Sequence, residues 1–199
     1  LAEWNMDMHT IVGGILHDCI EDTKASYDEI TKEFSEEVAE LVNGVTKLGG
    51  VEFDSRKEKQ AENLMKMFLS MAKDLRVVII KFADRLHNMR TIEYLPLIKQ
   101  RRIAVETRDV YSPLAHRLGM FQIKSELDDL VLNTLEPDAY KKIEKLLKST
   151  GGKRKKTLKE ITEPIKQQLG DHNIAYNLKT RLKSHASIHS KMVSREKLF

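Results

Sequence analysis

Cysteine is nearly absent from this chain of 199 residues: Cys19 stands alone, which excludes an internal disulfide and leaves the fold to be held by packing. Long apolar runs are missing too. Val77-Val78-Ile79-Ile80 is stopped by Lys81, far short of the roughly 18 consecutive apolar residues that a membrane span needs. No basic-then-apolar leader ending in small residues opens the sequence. Period-two alternation is absent before about residue 172, and there is no internal repeat and no low-complexity tract beyond a short basic run. These absences predict a soluble, mostly helical protein of a reducing cytoplasm, with no membrane and no disulfide partner. The chain opens on Leu1 rather than Met and stops on Phe199 in a basic, amphipathic stretch, so a piece of a longer protein is expected.

Apolar residues make up 41% of the chain, enough for a sizeable core. The net charge of +4 is unevenly spread, because residues 151–199 hold 12 Lys/Arg against 4 Asp/Glu and residues 1–150 hold 22 against 26. A basic tail suits phosphate-rich ligands or nucleic acid, or is simply a solvated face. An acidic body that handles phosphate needs a cation to bring its substrate in.

Apolar positions 11, 12, 15, 16, 19 and 20 have helical spacing, with His9 or Thr10 at the start. Gly13-Gly14 weakens that helix unless another packs closely on it. Ser26-x-x-Glu29 reads as a capping box, and Ser35 caps a third helix with the stripe Val38, Leu41, Val42 and Val45, ending before Gly49-Gly50. A further helical pattern runs from Ala61 through Leu64, Met65, Phe68, Met71 and Leu75 into Val78, Phe82 and Leu86, with a break near Lys73-Asp74. Pro96 and Pro113 punctuate two more helices, and Ile123, Leu127, Leu130, Val131 and Leu135 mark another before Glu136-Pro137. Gly151-Gly152-Lys-Arg-Lys-Lys is expected as a loop, residues 157–169 as a helix and Asn173–Lys179 as a strand.

On one continuous helix, His17, Asp18, Glu21 and Asp22 share a side, since residues 21 and 22 fall about 40° and 140° from residue 17. Carboxylates crowded beside an imidazole are relieved by a cation, and such donors suit Mn²⁺, Fe²⁺ or Zn²⁺, with oxygen-rich sites leaning to Mn²⁺. A polar helix face with an incidental histidine is the plain alternative. In Lys81–Thr91, Asp84, Asn88 and Thr91 lie at i, i+4 and i+7 on one face, away from Phe82, Leu86 and Met89. Asp84 either joins the same metal or pairs with Arg85 or Arg90 at the surface, and His87, off that face, is expected to pack or to sit behind the metal ligands.

These motifs, in order, are His17-Asp18-x-x-Glu21-Asp22-Thr23, Val45-Thr46-Lys47-Leu48, Phe82-Ala83-Asp84-Arg85-Leu86-His87-Asn88-Met89-Arg90-Thr91, and Glu106-Thr107 with Tyr111-Ser112-Pro113-Leu114-Ala115-His116-Arg117-Leu118-Gly119. Their combination resembles the RelA/SpoT family. The resemblance implies an all-α HD-superfamily metal phosphohydrolase domain over residues 1–135, a helical connector over 136–172 and the first elements of a truncated α/β synthetase domain over 173–199. It implies removal of the 3′-diphosphate of ppGpp and pppGpp as pyrophosphate in the stringent response. His17, Asp18 and Asp84 would be manganese ligands, Glu21 and Asp22 would act on the attacking water, and Asn88, Thr91, Leu95 and Arg101 would touch the substrate.

The family pattern also has a metal-ligating histidine about two dozen residues before the His-Asp pair, and only 16 residues precede His17 here. The chain as given is therefore expected to bind metal and substrate poorly. Arg181-x-Lys183 and Ser187-Ile188-x-x-Lys191-Met192 resemble the opening of the synthetase, although Thr180 and Ala186 stand where that pattern has a glycine and an aromatic or histidine. A bifunctional parent is implied, with the ribosome as a partner through regions after Phe199. The alternatives are an HD phosphohydrolase of other nucleotides and a non-catalytic regulatory or ribosome-binding module using the basic tail.

Overall fold

Helix α1 (Met8–Ile15) starts because the Asp7 carboxylate accepts the Thr10 amide at 3.0 Å. The computed structural model describes residues 1–49 and 73–194. After α1 come a short α2 (Cys19–Asp22), α3 (Tyr27–Glu33) and α4 (Glu36–Gly49). The capping box of α3 is complete: Ser26 Oγ accepts the Glu29 amide, and Glu29 Oε2 accepts the Ser26 amide at 2.8 Å. Ser35 Oγ accepts the Val38 amide at 3.2 Å, and the stripe Val38, Leu41, Val42 and Val45 is buried as its spacing predicts.

Helix α5 (Leu75–Arg90) begins at Asp74, whose carboxylate accepts the Arg76 amide at 2.8 Å. Arg76 also reaches Glu37 at the start of α4, at 2.5 Å, so the two helix starts are stitched together. α5 runs through the centre of the molecule. Val78, Phe82, Leu86 and Met89 pack with Tyr111, Leu114, Ile123 and Leu127 on one side, while Val77 and Ile80 meet Leu41 and Val45 on the other. Each such side chain, fully buried, contributes about 1.5–3 kcal/mol. Close approach is secured by glycine: a Cβ on Gly13 would lie 3.2 Å from Leu41 Cβ, and one on Gly44 would lie 2.8 Å from Val77 Cγ2.

Beyond α5 follow a 3₁₀ turn (Ile92–Tyr94), α6 (Leu97–Glu106), a π turn (Thr107–Tyr111), α7 (Ser112–Arg117), α8 (Phe121–Leu135), α9 (Pro137–Ser149), α10 (Gly151–Asp171) and α11 (His185–Ser194). Gly119, at φ +72°, makes the left-handed corner between α7 and α8. α11 docks where Asp129 of α8 accepts the Ala186 amide at 2.7 Å, and the His185 ring stacks on Tyr140 of α9 at 4.5 Å.

Three expectations are corrected. The first helix is not continuous, for α1 ends at Ile15 and Leu16–Asp18 form a bend. Gly14 O accepts the ring N–H of His17 at 2.8 Å, taking the carbonyl on which an unbroken helix would place the Asp18 amide. Gly151-Gly152 open α10 instead of forming a loop, because the two glycines, at about 1 kcal/mol each, are outweighed by the Lys, Arg, Leu, Glu and Gln that follow. Residues 174–184 have no regular structure where a strand was expected. No strand occurs among the described residues, so nothing there completes a ladder, and Ile174, Tyr176 and Leu178 remain exposed. The pattern over residues 61–72 lies outside the described residues. No described helix is long and apolar enough to cross a membrane.

Candidate metal centre

The bend between α1 and α2 points His17 at α5. With Nδ1–H donated to Gly14 O, Nε2 keeps a lone pair, and it lies 2.9 Å from Asp18 Oδ2 and 3.7 Å from Asp84 Oδ1. Nε2 is buried and makes no hydrogen bond of acceptable geometry. A lone pair facing two carboxylates is repulsive unless a proton on Nε2 or a cation stands between them.

Asp84 is the well-held member of the trio. Asn88 Nδ2, one turn on, donates to its Oδ1 at 2.7 Å, and Lys81 Nζ lies 2.8 Å from its Oδ2. Burial pushes the Lys81 ammonium down, but the Asp84 carboxylate more than offsets it and leaves the lysine above its ordinary value. Thr91 closes α5, its hydroxyl donating to His87 O at 3.0 Å. Glu21 and Asp22 are exposed on α2, in the turn after Asp18.

The sequence-predicted residues divide accordingly. His17, Asp18, Asp84 and Asn88 are brought together by contact, and Glu21 and Asp22 are beside them along the chain. Leu95 is half-buried and packs against the core, its neighbour Tyr94 is exposed, and Arg101 is exposed on α6. His87 is exposed rather than packed, since its position on α5 turns it away from both cores. Asp84 takes Lys81 rather than Arg85 or Arg90 as its basic neighbour: Arg90 Nε pairs with Glu126 at 2.6 Å, and Arg85 is buried, 3.2 Å from Glu106 and 4.1 Å above the Tyr111 ring. The π turn seats Tyr111 for that contact, with Phe82 against its ring edge at 6.1 Å. Sequence reasoning missed Lys81 and the Arg85–Glu106–Tyr111 clamp. The i, i+3 spacing of Lys81 and Asp84 was the available signal for the first, and nothing local signalled the second.

Among the described residues no group of three or more His, Cys, Asp or Glu side chains is gathered closely enough to hold a metal as it stands. The donor chemistry nevertheless fits a divalent cation: one imidazole nitrogen buried without a partner, and two carboxylates within 4 Å of it.

The HD domain family model matches residues 1–121. The chain belongs to the HD domain family. That family implies a divalent metal, in keeping with the donors around His17. This HD protein is 45% identical, over all 199 of its residues, to the bifunctional (p)ppGpp synthase/hydrolase SpoT of Escherichia coli K12. It is 47% identical over 200 aligned positions to a probable guanosine-3′,5′-bis(diphosphate) 3′-pyrophosphohydrolase of Synechocystis. To a GTP pyrophosphokinase of Streptomyces coelicolor it is 44% identical over 199 residues. The RelA/SpoT resemblance of the ordered motifs is thus borne out along the whole HD chain. The chain spans 28%, 26% and 23% of the lengths of these three relatives.

Proposed function

We propose that this chain carries a metal-dependent (p)ppGpp 3′-pyrophosphohydrolase, releasing pyrophosphate and GDP or GTP. The observation that carries the reading is His17 Nε2, buried and without a hydrogen bond, facing Asp18 and Asp84. One relative is named for synthesis and others for hydrolysis, so identity alone does not choose between them. His17-Asp18 and Glu21-Asp22, the residues to which the resemblance gives metal holding and the attacking water, favour hydrolysis.

His17, Asp18 and Asp84 would hold the cation, and an imidazole with carboxylate oxygens suits Mn²⁺. When bound, such a cation lowers the pKa of water and offsets charge on phosphate oxygens. Glu21 or Asp22, exposed and next to Asp18, accepts the proton of the attacking water. The water oxygen bonds to the phosphorus attached to O3′, the P–O3′ bond breaks, and the nucleoside oxygen takes up a proton as pyrophosphate leaves. Asn88 keeps Asp84 Oδ1 oriented and, with Thr91, lies along the face of α5 that would receive the nucleoside or its phosphates. Leu95 and Arg101 stand further along, Leu95 half-buried and Arg101 exposed, where they would touch the substrate.

We assign residues 1–135 to this hydrolase, 136–172 to the connector and 173–199 to the opening of a synthetase in a bifunctional cytoplasmic parent that meets the ribosome through other regions. The test is pyrophosphate release from ppGpp with Mn²⁺ by the full-length parent, since the chain as given is expected to bind metal and substrate poorly. Pyrophosphate and GDP, lost on chelation, are expected. Release of phosphate from ordinary nucleoside phosphates with ppGpp left intact would overturn the reading in favour of another nucleotide phosphohydrolase.

A further inference from the structure

Lys81 is absorbed by neither the sequence motif nor the reaction above. It lies on α5 one turn before Asp84, with its side chain 16% exposed against 12% for Asp84, and its Nζ sits 2.8 Å from Asp84 Oδ2. Other described lysine ion pairs are more open to water: Lys124 with Asp128 at 32% lysine exposure, Lys148 with Glu144 at 74%, Lys166 with Glu163 at 46%. Exposed pairs of that kind contribute little, but a carboxylate as enclosed as Asp84 cannot be left without a counter-charge.

We propose that Lys81 is the resident counter-ion of this site, neutralising Asp84 when no divalent cation is bound and competing with that cation for the carboxylate. The assignment rests on reading His17, Asp18 and Asp84 as cation ligands.

The two oxygens of Asp84 divide the work. Oδ1 faces His17 Nε2 and accepts from Asn88, while Oδ2 faces Lys81. A cation entering between His17 and Asp84 brings two positive charges to a carboxylate that already has one beside it. Asp18, half exposed, and the exposed Glu21 and Asp22 are screened by water, so Asp84 is the group that most needs Lys81. The residue type fits. An ammonium on a four-carbon stem is a single point charge that can withdraw, whereas a guanidinium would grip both oxygens. Lys81 would thereby keep the empty site folded and set a threshold for metal loading.

Mn²⁺ titrated into the full-length parent without nucleotide, with free Mn²⁺ read by electron paramagnetic resonance and thermal melts run alongside, tests this. Lys81→Met should bind Mn²⁺ about tenfold more tightly than wild type and melt lower without metal, with Mn²⁺ restoring the loss. Lys81→Arg should keep the metal-free melting temperature and bind Mn²⁺ no more tightly than wild type. A Lys81→Met chain that is unfolded alone but folds with Mn²⁺ supports the proposal equally. Equal or weaker Mn²⁺ affinity in a folded Lys81→Met chain, or a variant unfolded with and without metal, overturns it. Mn²⁺ binding by neither chain removes the ligand reading and this proposal together. A chain that binds Mn²⁺ as described but releases no pyrophosphate counts against the activity alone.

Discussion

Asp84 faces His17 across the site, yet Asp84 and the segment from His17 to Asp22 are held on different terms. Asp84 projects from an unbroken 16-residue helix whose other faces are buried in two hydrophobic clusters, and both its oxygens have partners. His17 and Asp18 lie in a bend, and Glu21 and Asp22 on a four-residue helix open to water. The difference teaches how the proposed roles are mounted. Asp84 would hold the cation from a rigid helix, and His17 and Asp18 would reach it from a bend. Glu21 and Asp22, the proposed proton acceptors, lie open to solvent.

The contrast can be broken from either side, and the largest effect is expected at the rigid mount. Asp84→Asn should cut pyrophosphate release by about 10³-fold or more, because cation holding and water activation are lost together. Mn²⁺ binding should weaken in parallel, which a titration with both proteins checks. Glu21→Gln and Asp22→Asn should be separable from that behaviour. At least one should lower kcat by about 10²–10⁴-fold with Mn²⁺ affinity kept and the melting temperature close to wild type, since both side chains are exposed.

Smaller effects probe the scaffold beneath Asp84. Gly44→Ala would drive a methyl to within 2.8 Å of Val77 Cγ2, pressing α4 off α5. Denaturant unfolding should show a loss of about 1–3 kcal/mol. The smallest effect concerns acid. The Arg76 side chain, by hydrogen bonding, holds the Asp74 carboxyl below its ordinary value of 3.8. A depressed carboxyl contributes stability that is fully present above that ordinary value and is lost as pH falls through the lower, folded one. Asp74→Asn should therefore melt below wild type at pH 7, by less than about 1 kcal/mol, and the gap should begin to close below about pH 4 and shrink further as the pH falls.

The rigid half was also the legible half. The helical spacing of Val78, Phe82 and Leu86 and the i, i+4 pairing of Asp84 with Asn88 are local periodicities, and burial followed them. The capping box at Ser26 and the stripe from Val38 to Val45 were readable for the same reason. The bend at Leu16 was not, because it depends on a side chain, His17, capturing the Gly14 carbonyl, and apolar spacing carries no trace of such a bond. The place of Arg85 was hidden as well, since its partners Glu106 and Tyr111 lie on later elements that the π turn brings back. Asn173–Lys179 has strand alternation without a neighbour to pair with among the described residues. At the site, His17, Asp18 and Asp84 were named from motif order, and the structure added what orients them.

The central claim is that one divalent cation joins the two halves, and a crystal of the full-length parent grown with Mn²⁺, measured at the manganese absorption edge, tests it most directly. An anomalous peak within ligand distance of His17 Nε2 and carboxylate oxygens of Asp18 and Asp84 is the predicted result. A peak elsewhere on the chain, with His17 and Asp84 still facing each other without a bound ion, would contradict it.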